Sequence, residues 1–179
     1  MKRAIAASLL VTLVAVSAVC LAQAPEMPKP GPEHKRLAYF VGKWRGEGEM
    51  KPSPFGPGGK FTESQDVELM PGGFFLLIHS DENTPMGNGK TLMILGYDSE
   101  KKAYTFNAFD SMGQNETATG TVEGDTWTWR SDSMMGGKPV KSRFTVKELS
   151  PTAYTTKFEM AGAGGAWNTI MEGKTTKIK

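Results

Sequence analysis

The chain has 179 residues, 39% of them hydrophobic and 22% charged, which fits one globular domain and excludes a disordered or polytopic membrane chain. Lys+Arg 21 against Asp+Glu 19 gives a net charge of +2, too little for a nucleic-acid footprint. One Cys and two His exclude a disulfide framework and a Cys/His zinc site.

Lys2 and Arg3 precede an apolar run from Ala4 to Ala22, which reads as a secretory signal over residues 1–22. Cleavage after Ala22 avoids the Pro25 that would follow a cut after Ala24. An uncleaved anchor is the alternative. Val19 is too bulky to precede a lipidated Cys20. The mature chain would be formally neutral and free of cysteine, in the periplasm or outside a bacterial cell, with no stable membrane insertion after cleavage. Pro25, Pro28, Pro30 and Pro32 make residues 23–32 an extended tether to a domain over residues 33–179.

Pro32 suits the first turn of a short helix. Leu37, Phe40 and Val41 form its apolar stripe, Gly42 is expected to cap its C-terminus, and His34 falls on its solvated side. From there the period changes to two. Ten runs read as strands: Trp44–Met50, Phe61–Met70, Phe74–Ser80, Thr91–Asp98, Ala103–Asp110, Glu116–Val122, Thr126–Arg130, Val140–Leu149, Ala153–Met160 and Trp167–Lys177. Turn signals separate them, among them Pro71-Gly72-Gly73, Asn88-Gly89, Glu123-Gly124-Asp125 and Ser150-Pro151. Tight links make sequence neighbours pair antiparallel. Closure removes the exposed edges, so the expected fold is all-β: a closed antiparallel up-and-down barrel of about ten strands with one short N-terminal helix. A barrel of that strand number is too wide for side chains alone to fill.

Few residues offer chemistry. Gly87-Asn88-Gly89-Lys90-Thr91 ends like a phosphate loop but lacks the first glycine and leads into a strand. On alternation His79 shares a face with Phe75 and Leu77; inward, it would be a haem or metal ligand, and otherwise a hydrogen-bonded structural histidine. Asp81-Glu82 and Asp98 with Glu100 lack calcium-loop spacing. The methionines are scattered, which suits core filling better than copper ligation. No catalytic residue, metal site or cofactor is assigned.

The stretch Leu37-Ala38-Tyr39-Phe40-Val41-Gly42-Lys43-Trp44-Arg45-Gly46-Glu47-Gly48 resembles the opening of calycin-type barrels, as in lipocalins and nitrobindin-like haem proteins. Pro71-Gly72-Gly73-Phe74-Phe75-Leu76, Leu95-Gly96-Tyr97-Asp98 with Lys101, Lys102 and Tyr104, and Asp110-Ser111-Met112-Gly113 extend the likeness. Together they resemble domain of unknown function 1579, a family of secreted bacterial proteins, over about residues 32–177. The resemblance implies a lipocalin-like barrel, with Gly42 and Trp44 structural: Trp44 would plug one end beneath a Lys or Arg. It implies no activity. Nitrobindin-like relatives hold haem through a histidine near the last strands, and Trp167–Ile178 has none.

The reading is a binding module whose lumen takes a small hydrophobic or amphipathic molecule. Candidate lining residues are Phe74, Leu76, Ile78, Met93, Leu95, Phe106, Trp127, Trp129 and Phe158. The alternatives are a haem-binding or enzymatic barrel using His79 or the Asp110-Ser111 rim, and a filled barrel with a structural or interaction role.

Overall fold

Alternation of buried and exposed residues from Gly42 onward governs the architecture. The computed structural model describes residues 27–178 apart from 55, 136, 163 and 164. The expected signal segment, 1–22, and the first part of the proline stretch lie outside the described residues. No helix among the described residues is long and apolar enough to cross a membrane.

Pro32 occupies the first turn of α1 (Pro32–Arg36), where its missing N–H leaves no hydrogen bond unmade. A 3₁₀ turn over Leu37–Phe40 continues it and buries Leu37 and Phe40. The helical segment stops one residue earlier than expected, with Val41 as its C-cap. Gly42 instead opens β1 with φ of +126°. A Cβ there would stand 2.6 Å from Cε of Lys177, so this glycine gives passage to the lysine rather than capping a helix.

Ten strands follow: β1 (Gly42–Met50), β2 (Gly59–Leu69), β3 (Leu76–Thr84), β4 (Gly87–Asp98), β5 (Ala103–Asp110), β6 (Asn115–Glu123), β7 (Thr126–Met135), β8 (Lys138–Ser150), β9 (Ala153–Ala161) and β10 (Trp167–Ile178). Each pairs antiparallel with the next, and β1 closes on β10 from Lys43↔Ile178 to Met50↔Met171. The closed up-and-down barrel is thus as expected. One turn differs. Asn88-Gly89 lies inside β4, opposite Asn83 and Glu82, and the reversal falls at Thr84-Pro85-Met86-Gly87. There Pro85 presets its own φ, the Thr84 hydroxyl accepts the Met86 N–H, and Gly87 takes φ of +119°.

The helical segment closes the end where β1 begins. Tyr104 donates to the Glu33 carbonyl, and the Tyr39 hydroxyl lies 2.9 Å from the Ser150 carbonyl and 3.0 Å from that of Ala153. Arg36 pairs with Glu148 at 2.7 Å and lies over Trp127. Trp44 is 0% exposed. It donates its indole N–H to the Phe40 carbonyl at 2.6 Å, and Lys177 Nζ lies 5.0 Å from the ring. Leu37, Leu76, Trp127 and Tyr154 complete this plug.

Candidate ligand cavity

With one end plugged, the inner rows leave a hollow of about 360 Å³ toward the other end, in the size range of small-molecule sites. Its floor includes Phe40, Val146 and Tyr154, and its walls Ile78, Leu95, Phe106, Trp129 and Phe144. Hairpins β1–β2, β3–β4, β5–β6, β7–β8 and β9–β10 surround the mouth, where Met50, Met86 and Met171 join the lining. Their flexible thioethers fill irregular space at the rim.

Main-chain space keeps the hollow open. A Cβ on Gly46 would run into the Glu63 carboxylate, one on Gly48 would stand 2.6 Å from the Phe61 ring, and one on Gly120 2.7 Å from the Trp129 indole. These large side chains therefore lie flat along the wall instead of crossing the lumen.

Polar groups gather on the β2–β3 side. Phe61, Glu63, Gln65 and Val67 share the inner row of β2. Glu63 accepts from Gln65 Nε2 at 3.1 Å and from the Thr175 hydroxyl at 3.2 Å, and Tyr154 donates to Gln65 Oε1 at 2.9 Å. Burial pushes the Glu63 carboxyl above its ordinary range. Its two hydrogen bonds pull the other way, and the charge of Glu82 adds to the rise. Burial also raises the Tyr154 phenol, with the charge of Glu63 adding to it. On β6, Glu116 accepts from Ser131, which in turn meets the Ser142 hydroxyl at 2.7 Å.

Of the residues proposed from sequence, Ile78, Met93, Leu95, Phe106, Trp129 and Phe158 line this hollow. Leu76 and Trp127 are buried in the plug instead. Phe74 lies before β3, its ring edge-on to His34 at 5.0 Å. His34 is half-buried rather than fully solvated: it also meets Tyr97, and its Nδ1 accepts the Gly31 N–H. His79 faces outward, because Leu76, Ile78 and Ser80 take the inner row of β3. It cannot reach a ligand in the lumen from there. Asp110 and Ser111 shape a turn at the mouth: Asp110 Oδ1 accepts the N–H groups of Met112 and Gln114, and the Ser111 hydroxyl that of Lys90. Among the described residues, no group of three His, Cys, Asp or Glu side chains is placed to hold a metal.

Sequence reasoning missed Glu63, Gln65, Glu82 and Glu116 as lining residues. The available signal was their parity. Glu63 and Gln65 alternate in step with Phe61 and Val67, so a strand assigned by its apolar members places these polar ones on the same face.

The family model described as "Protein of unknown function (DUF1579)" matches residues 29–177. The chain belongs to this family. No curated protein matches the sequence. Among solved structures, Rv2717c from M. tuberculosis is similar with a TM-score of 0.56 at 12% identity, over 83% of this chain and 99% of that one. The S-type phycobiliprotein lyase CPES from Guillardia theta is similar with a TM-score of 0.56 at 10% identity, over 82% and 93%. At these identities the likeness of this DUF1579 chain to both is one of fold.

Proposed function

We propose that the protein is an exported carrier that holds a small hydrophobic or amphipathic molecule inside its barrel. The observation that carries the reading is the hollow of about 360 Å³, open at one end, with mostly apolar walls and a few polar groups set among them. Export rests on the sequence alone, through Lys2 and Arg3 ahead of the apolar run to Ala22. The similarity to a phycobiliprotein lyase is in keeping with a barrel that accommodates a guest.

Trp129 is part of the wall, so indole emission reports occupancy. Titration with Nile red and with dodecyl compounds should change that emission saturably, at one guest per chain. Native mass spectrometry of the purified protein should show the corresponding mass. A panel of neutral, anionic and cationic dodecyl compounds that leaves both readouts unchanged would refute the carrier reading.

A further inference from the structure

The charged groups of the hollow are all of one sign. Glu63, Glu82 and Glu116 line it, and no Lys, Arg or His does so among the described residues. Composition does not explain this, because the chain has no excess of acidic residues over basic ones. The basic side chains stand on the outer face or in the plug, as Lys43 beside Asp66 and Lys177 over Trp44 do.

Glu63 and Glu82 are also direct cross-strand partners between β2 and β3. Like charges in that relation repel one another. Among the described residues neither forms an ion pair. The hydrogen bonds to Glu63 come from a neutral amide and a hydroxyl, and those to Glu116 from hydroxyls, so these charges are oriented but not neutralised. The aromatic walls formed by Phe61, Phe106 and Trp129 attract positive charge through their ring faces.

We infer that the lumen selects an amphipathic organic cation, an ammonium head carried on an apolar body, over a fatty-acid-like anion. The inference rests on the carrier reading and specifies its ligand. Glu82 and Glu116 lie toward the mouth ends of their strands, whereas Phe40 and Val146 lie at the floor. The apolar body therefore enters first and the ammonium group stays in the mouth half, where the facing carboxylates share its charge. A metal ion is the poorer fit, because the three carboxylates do not converge on one point.

The test uses the full-length protein at neutral pH and low salt, titrated calorimetrically with dodecylamine, dodecyltrimethylammonium, dodecanol and dodecanoate below their micelle thresholds. The cationic compounds should bind at least about tenfold more tightly than dodecanoate, with dodecanol between them. Glu63→Gln combined with Glu82→Gln should abolish that difference while dodecanol still binds, which also shows that the variant is folded. Glu82→Gln alone should reduce it. Equal or tighter binding of dodecanoate, or a preference that survives the double substitution, overturns the inference and leaves the carrier reading standing. Failure of all four compounds, dodecanol included, overturns both.

Discussion

Replacing Trp44 with Phe tests how the plug is held. The substitution keeps an aromatic ring in the core but removes the indole N–H that reaches the Phe40 carbonyl at 2.6 Å. That carbonyl is then left buried without its donor, which costs about 1–3 kcal/mol. The smaller ring leaves unfilled space beside Tyr154, whose ring lies 4.9 Å away, for about 1 kcal/mol more. The weaker attraction for Lys177, at 5.0 Å from the ring, removes about 0.5 kcal/mol. These losses share one pocket and overlap, so the expected destabilisation is about 3 kcal/mol. For a domain of this length that lowers the thermal midpoint by roughly 6–12 °C. Urea unfolding followed by far-ultraviolet circular dichroism gives the free energy directly, with the slope unchanged if only stability is altered. Lys177→Met should cost about 0.5–1 kcal/mol in the wild-type background and less in the Trp44→Phe background, where the ring beneath the ammonium group is a weaker partner. A loss below about 1 kcal/mol for Trp44→Phe would show that the indole hydrogen bond does not hold the plug.

Glu63→Gln should raise stability at neutral pH. Burial raises the folded-state pKa of Glu63, so its contribution to stability is fully present below the unfolded value of 4.5 and is lost as pH rises through the folded value. The variant's advantage should therefore vanish in acid, and urea midpoints across that range that run parallel for the two proteins contradict the assignment. Gly42→Ala should cost about 1–3 kcal/mol, because alanine avoids φ of +126° and its Cβ would displace Lys177. A urea midpoint within error of wild type counts against that account. Gly120→Val should push the Trp129 ring off the wall and into the lumen, since a Cβ there stands 2.7 Å from the indole. Weaker Nile red binding and shifted indole emission are expected, and unaltered affinity sinks the idea that this glycine keeps the lumen open.

The strand pattern was readable because apolar residues alternate with polar ones through nearly every run, and Tyr154, Phe158 and Met160 share a side as that alternation requires. Short links then left antiparallel neighbours and a closed sheet as the economical arrangement. The hairpin at Pro85 was harder to place. Asn88-Gly89 has the favoured turn chemistry, but Thr84 and Pro85 fix the reversal earlier in the chain. The candidate site was legible in its apolar half. Which inward residues face the hollow and which are consumed in the plug depends on where the helical segment seats, a long-range fact that no strand carries by itself. Leu76 and Ile78 share one inner row, yet the first belongs to the plug and the second to the cavity wall. The carboxylates stayed hidden because charged residues on a strand ordinarily mark its solvated face.

Among the described residues, the seated helix leaves the barrel with a single doorway. On the carrier reading, a guest would leave by the route it came, and a competitor could not press in from behind to drive it out. Exchange in such a vessel proceeds by departure first and replacement second. The rate at which a bound molecule is lost should then stay constant however much rival compound is added outside.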